Sequence, residues 1–402
     1  MPVSKTIAGQ LKNASWIRRM FEEGNRLKAE RGADRVFDFT LGNPEVEPPE
    51  QVLEALSRAV SNRTPHRHGY MPNAGHIEAR AAVARQLSVE TGLPFTPDHI
   101  LMTVGASGAC NVILKSILDP GDEVIGLMPC FSEYPFYVTN HAGRFVPVET
   151  DADFLPDIER IAAAITPRTR AIILNSPNNP SGRIYPAGAL EELEELLSQL
   201  DHPITVISDE PYKRLIFDGR KQTPAASRIS QTAICNSWSK SQAIPGQRIG
   251  YLALSPRLAG LEEIRNACTF ANRILGFINA PAIWQWVEAE AAEAVVDVLA
   301  YQEKRDRLCN ALTAIGYDVQ KPEGTFYVFP KTPVSDDVEF VRLLLNEGVL
   351  GVPGSGFGRS GYFRLSLTVP METITNSLPA FERVFHQCKE ARPSADSFQP
   401  SR

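Results

Sequence analysis

Lysine becomes a nucleophile only where its charged form is disfavoured. Lys240 is a candidate because it closes Ser237-Trp238-Ser239-Lys240, directly after the apolar run Thr232 to Asn236. The plainer reading is a solvated surface amine. Arg248 weighs against it: this second cation stands at the head of the next apolar run, and a nearby cation disfavours the ammonium form and makes the amine reactive. Asp209-Glu210-Pro211-Tyr212 follows the run Ile204 to Ser208. A carboxylate at the end of a buried strand is costly without a cationic partner. Asp209 therefore either caps the turn that follows or pairs with a protonated ring nitrogen, which would keep such a ring able to draw electrons.

Two further segments close or open apolar runs in the same way. Asn175 to Gly182 (Asn-Ser-Pro-Asn-Asn-Pro-Ser-Gly) is either a rigid loop or a site in which Asn179 donates to a phenolate oxygen, with Tyr212 able to do the same. Thr103-Val104-Gly105-Ala106-Ser107-Gly108 lies where a strand hands over to a helix. Small residues there let the backbone approach a phosphate, and a helix N-terminus offers free N–H groups and about half a positive charge. The alternative is an ordinary helix start. The segment is neither G-x-G-x-x-G nor a P-loop, which disfavours a dinucleotide fold.

These segments need a scaffold that brings strand ends together. Apolar runs at Ile100 to Val104, Glu123 to Met128, Phe145 to Glu149, Ala171 to Asn175, Ile204 to Ser208, Thr232 to Asn236 and Ile249 to Leu254 read as strands. Helical patterns separate most of them, including Ala106 to Leu118 and the strongly periodic Ala187 to Leu200. That alternation predicts an α/β fold with a mostly parallel sheet covered by helices. Ligands of such sheets bind beyond the carboxyl ends of the strands, where the residues above fall. After Pro281 a long helical region to Leu312 precedes short strands and a last helix, which suggests a smaller α+β domain. The expected division is an N-terminal segment, 1–48, joining the small domain; a large domain, 49–300; a small C-terminal domain, 301–390; and a disordered polar tail, 391–402.

The 402 residues carry 41 Lys+Arg against 47 Asp+Glu, a net charge of -6, which argues against nucleic-acid binding by bulk charge. The six cysteines form no C-x-x-C pair, and His66 and His68 lack metal-ligand spacing, so neither disulfides nor a metal are expected. No signal peptide and no membrane-spanning run are read, and the expected location is the cytoplasm.

Taken together, Gly105-Ala106-Ser107, Asn179-Pro180-Ser181-Gly182, Asp209-x-x-Tyr212, Ser237-x-x-Lys240, Arg248-Ile249-Gly250 and Arg364, in that order, resemble the class I/II aminotransferases of the fold-type I pyridoxal 5'-phosphate (PLP) superfamily. The resemblance runs from about Leu41 to Leu367. It implies that Lys240 holds PLP as a Schiff base and shuttles the proton, and that Asp209 pairs with the pyridine nitrogen. Asn179 and Tyr212 would contact the ring hydroxyl. The backbone at Gly105, Ala106 and Ser107, with Ser237 and Arg248, would hold the phosphate, and Phe131 would stack on the ring. Arg364 would grip the substrate α-carboxylate, a task suited to its planar fork. Tyr70 would reach the phosphate of a neighbouring subunit, so a homodimer with shared active sites is implied. Gly42 and Ile17 fall in substrate-pocket segments, and Arg273 is the nearest candidate for a second carboxylate contact, although its register is not the usual one. Trp16, Ile17 and Phe357 could instead line a pocket for an apolar side chain.

The reaction so implied exchanges the amino group of an L-amino acid with a 2-oxo acid by ping-pong kinetics. Two other readings share the scaffold: a PLP lyase, such as a C–S β-lyase or a ring-forming synthase, and a non-catalytic PLP-binding regulator. The roughly 40 residues before Leu41 lack the pattern of a DNA-binding domain, which counts against the regulator.

Overall fold

Strands made of Val, Ile, Leu and Ala on both faces have to be covered on both sides. The computed structural model describes residues 3–390 apart from 13–15 and 33–34; the side chains at 12, 16–21, 25 and 31 are likewise outside the described residues. The tail 391–402 therefore lies outside them too.

The chain forms two compact units. One comprises the chain up to Gly42, Ala300–Pro322 and everything from Phe326 on; the other comprises Asn43–Leu299 and Glu323–Thr325. The first strand, β1 (Phe37–Asp38), belongs to the smaller unit. The larger unit holds β2 (Ile100–Thr103), β3 (Glu123–Met128), β4 (Arg144–Glu149), β5 (Thr169–Asn175), β6 (Thr205–Asp209), β7 (Thr232–Ser237) and β8 (Gly250–Leu254). They form one sheet in the order β2-β8-β7-β6-β5-β3-β4. Strands β3 to β7 run parallel, and β8 alone is antiparallel to its neighbours β7 and β2. Every residue of β6, β7 and β8 is buried, so the mostly parallel covered sheet expected from the sequence is the one observed.

Register decides what this sheet can do. Asn175 pairs with Asp209 and Asp209 with Cys235, while Ser237 pairs with Gly250 and Gly250 with Thr103. The carboxyl ends of β5, β6, β7 and β2 are thus aligned in one row, with β8 entering at the same edge.

Several elements differ from the sequence reading. The strand expected over Val36 to Leu41 is only Phe37–Asp38. The helical region after Pro281 is two helices, Ala282–Ala291 and Val298–Ile315, because the Val296 N–H leaves helical pairing to bond the Ser241 carbonyl at 2.8 Å. The helix Ile77–Thr91 was not anticipated: Ala79, Ala82, Val83, Ala84 and Leu87 are buried around much of its circumference, so no apolar stripe marks it. The helix Leu261–Ile274 is likewise absent from the sequence reading, although Glu262 and Glu263 in its first turn are a usable start signal.

The smaller unit pairs β1 with β10 (Val349–Leu350) in parallel. It also forms an antiparallel sheet of β11 (Val352–Pro353), β12 (Phe363–Ser366) and β9 (Tyr327–Val328), in the order β11-β12-β9. The single strand read over Val349 to Pro353 is thus two, interrupted at Gly351, where a side chain would crowd Leu365. All six cysteines are buried, and burial pushes Cys130, Cys268 and Cys309 up to about 12, which keeps them as unreactive thiols.

One buried acid in the larger unit sets a pH dependence. Glu288, with no solvent exposure, accepts from Gln242 Nε2 at 3.1 Å, yet Glu288 Oε1 and Gln242 Oε1 both lack a donor. Burial drives the Glu288 pKa well upward, so the folded state holds it neutral. In the unfolded chain it ionises from about pH 4.3. The folded state therefore loses stability as pH rises above that point. Glu288→Gln removes this loss, and thermal melting should show the variant more stable than the wild type at pH 8, with the gap closing towards pH 5. A gap independent of pH would show that the carboxyl is ionised in the fold.

Candidate active site

The row of strand ends in the larger unit gathers most of the chemistry-bearing residues. Asp209 ends β6 with its carboxyl buried among the side chains under the helix Gly105–Ile117. Tyr134 Oη donates to Asp209 Oδ2 at 2.5 Å, and Oδ1 is buried with no partner. Burial pushes the Asp209 pKa up to about 7; the Tyr134 hydrogen bond pulls against that, and the adjacent Glu210 charge adds to it. A buried carboxyl with one bare oxygen is matched to a cationic N–H donor, which would return it to its charged form.

Asn175, at the end of β5, ties this group to the next loop. Its Nδ2 donates to the Asp209 carbonyl at 2.9 Å, and its Oδ1 accepts from the Asn179 N–H at 2.7 Å. Asn179 and Tyr212 are both buried. Phe131 is half-buried, edge-on to Tyr134 with ring centroids 5.6 Å apart.

Ser237 ends β7, and its N–H donates to Asn236 Oδ1 at 2.7 Å. Trp238 is pinned by Nε1 donating to the Ala292 carbonyl at 3.0 Å, and it packs on the Tyr251 ring. This anchor sets the course of the chain to Lys240, which is half-buried.

The helix Gly105–Ile117 begins where β2 ends, and no side chain caps its N-terminus. Gly105 takes a left-handed φ of 71°, and a Cβ there would lie 2.7 Å from Arg248 Nη2. The guanidinium is thus drawn up against the uncapped first turn. Arg248 itself is held at φ 53°, an uncommon conformation for a residue with a side chain, with Nη1 donating to the Pro245 carbonyl at 2.8 Å. Ser107 is tied down through its carbonyl, which accepts from Asn111 Nδ2 at 2.9 Å. Free N–H groups beside a guanidinium make an anion cradle suited to a phosphate.

Arg364 belongs to the smaller unit, on β12, and is buried. Its Nη2 donates to the Thr40 carbonyl at 2.9 Å, and its guanidinium carbon lies 4.1 Å from the Tyr327 ring centroid and 4.5 Å from that of Phe357. Two aromatic faces hold the fork in one orientation. Gly42 is required beside it, since the Tyr327 hydroxyl occupies the place of a Cβ. The Ile17 side chain is outside the described residues. Arg273 stands exposed on its helix, 5.8 Å from the Phe270 ring centroid, and Tyr70 is 93% exposed. Neither joins the row of strand ends within the protomer.

Sequence reasoning missed Tyr134, Asn175 as a bridge, Thr40 and Tyr327. Seventy-five residues separate Tyr134 from Asp209, and no local pattern links them. Asn175 could have been found, since it ends its strand as Asp209 ends the next one, and the two pair in register.

The mostly parallel α/β sheet thus carries a lysine-bearing loop, a buried carboxyl and an anion cradle at adjoining strand ends. Residues 34–381 match the family model "Aminotransferase class I and II". The aspartate/prephenate aminotransferase of Thermus thermophilus is 38% identical, over 88% of this chain and 92% of its own. An aminotransferase of Eubacterium rectale superposes with a TM-score of 0.93 at 35% identity, covering 96% of this chain and 99% of that one. The aspartate aminotransferase of Thermus thermophilus, solved with maleate, does so with a TM-score of 0.82 at 34% identity, covering 92% and 96%. The chain belongs to the class I and II aminotransferases, a PLP-dependent family with the fold-type I architecture. It is an enzyme of the transferase class acting on nitrogenous groups. Among the described residues no helix is long and apolar enough to cross a membrane, and no cluster of His, Cys, Asp and Glu could hold a metal.

Proposed function

We propose that the protein transfers the amino group of an L-amino acid to a 2-oxo acid with PLP as its cofactor, working by ping-pong kinetics as a cytoplasmic homodimer. The observation that carries this reading is the buried, singly paired carboxyl of Asp209, whose bare Oδ1 fits a protonated ring nitrogen. When bound, the cofactor supplies the electron sink that takes up the charge left when the substrate Cα–H bond breaks.

The chain's own residues do the rest. Asp209 holds the proton on the ring nitrogen. Lys240 anchors the cofactor through Nζ and then takes the α-proton on the same nitrogen and returns it. The first turn at Gly105, Ala106 and Ser107, with Ser237 and Arg248, holds the phosphate. Asn179 and Tyr212 would donate to the ring hydroxyl oxygen, and Phe131 would cover the ring face. Arg364 orients the substrate by its α-carboxylate. Gly42 lines the substrate pocket. Tyr70, exposed in the protomer, reaches the phosphate of the second subunit, and Arg273 is offered to the substrate side chain.

The named relatives act on aspartate and prephenate, and one was solved with maleate, which supports an acidic or broad substrate range here. The test is a half-reaction screen: each amino acid is mixed with the PLP-loaded protein and the loss of cofactor colour is followed. Bleaching by aspartate or glutamate, restored by 2-oxoglutarate, is the expected result. Release of ammonia and pyruvate without regeneration by an oxo acid would replace transfer with elimination.

Arg364 gives a separate expectation. Arg364→Ala removes a buried, charge-assisted carboxylate contact worth about 2–4 kcal/mol, so kcat/KM should fall by about 30- to 1000-fold, mostly through KM. An unchanged KM would place the α-carboxylate elsewhere.

A further inference from the structure

Alternation along a strand sends neighbouring side chains to opposite faces of the sheet. Asp209 points to the face where Tyr134 meets it. Glu210 turns to the other face, where Ser208 Oγ donates to it at 2.7 Å and Lys213 Nζ lies 3.9 Å away. Behind the sheet, in the larger unit, Glu210 forms part of the wall of a cavity of about 500 Å3. That volume is in the range of small-molecule sites.

The charge of this wall is unbalanced. Lys213, Arg214, Arg220 and Lys221 face it against two carboxylates, Glu90 and Glu210. Both carboxylates are already engaged: Glu90 accepts from Lys213 at 2.8 Å and from Arg214 at 3.3 Å, and Glu210 from Ser208. Arg220 pairs outside the wall with Glu323 at 2.9 Å. Lys221 is exposed, and among the described residues it has no carboxylate partner. Leu87, Ile216, Pro224, Ile234 and Val295 supply apolar surface. Gln222 completes the wall; its Nε2 donates to the Ser176 carbonyl at 2.7 Å, and its buried Oε1 has no donor.

An occupant that satisfies this wall carries negative charge for the surplus cations, carbon for the apolar side, and an O–H or N–H donor for Gln222 Oε1. We propose that the cavity is a second ligand site, separate from the strand-end site, that takes a small hydroxy- or amino-carboxylate. Its wall touches the proposed catalytic segments twice, through Glu210 next to Asp209 and through Gln222 on Ser176 in the Asn179 loop. The occupant therefore modulates turnover from behind the sheet, and that clause alone rests on the transamination reading.

Calorimetry on the PLP-loaded protein tests it, with citrate as the hydroxycarboxylate probe, tricarballylate as the same anion without the hydroxyl, and inorganic phosphate as a simple anion. Citrate should bind once per protomer. Tricarballylate and phosphate should each bind about tenfold more weakly, the size of one lost hydrogen bond or of the lost apolar contact. Lys221→Glu, at the exposed rim, and Val295→Trp, which fills the cavity, should each weaken citrate by at least about tenfold while keeping the turnover measured without citrate. Citrate should shift wild-type turnover and leave that of Lys221→Glu unmoved. Equal citrate binding in wild type and Lys221→Glu would place the anion elsewhere and overturn the site, as would absence of binding or equal binding of phosphate. Unmoved wild-type turnover would overturn the modulation. Citrate binding in a protein that shows no transamination would leave the site standing and remove the proposed reaction instead.

Discussion

Lys240→Ala should lower turnover by at least about 10⁴-fold, the upper range for loss of a positioned proton-transfer group, with anchoring of the cofactor lost besides. The protein should still capture PLP. The anion cradle at Gly105 to Ser107 with Arg248, and the bare Asp209 oxygen, do not depend on Lys240. Lys240→Arg separates charge from chemistry, because arginine keeps the cation and cannot give up its proton. Both variants should bind cofactor and fail to turn over; near wild-type rates in either would remove Lys240 from the reaction. Folding should survive, since the local anchor is Trp238, through the Ala292 carbonyl and the Tyr251 ring.

The second large effect is at Asp209. Asp209→Ala should cut kcat by about 10²–10⁴-fold, the range for losing a preorganised charge aimed at the reacting system. Asp209→Asn is the sharper variant. It retains the shape and an acceptor for Tyr134 but not the charge that would hold a proton on the ring nitrogen. If charge matters, the two variants fall alike; if Asp209 only packs under the helix Gly105–Ile117, the Asn variant keeps its rate. Kinetics under saturating amino acid, with circular dichroism to confirm folding, decides between them.

Much of this site was legible because each segment carries its own signal at a strand boundary. Asp209 directly follows an apolar run, Lys240 follows another by a few residues, and Gly105 marks a strand-to-helix turn that needs a left-handed φ. Alternating strands and helices were enough to predict the covered sheet, since burial on both faces forces continuous apolar runs. The missing partners are long-range. Tyr134 reaches Asp209 over a separation of 75 residues, and Thr40 meets Arg364 from near the other end of the chain, and neither leaves a periodic trace. The helix Ile77–Thr91 was hidden for a different reason: buried alanines spread round it erase the amphipathic stripe.

Lys213 is the informative rival to Lys240, as another lysine in the larger unit with little exposure, but it is committed to Glu90 and Tyr251 on the opposite face of the sheet. The most direct test is therefore to incubate the protein with PLP, reduce it with borohydride, digest it and locate the modified peptide by mass spectrometry. The account predicts one phosphopyridoxyl group per chain, on Lys240. The group on Lys213 or any other lysine, or no adduct at all, would contradict it.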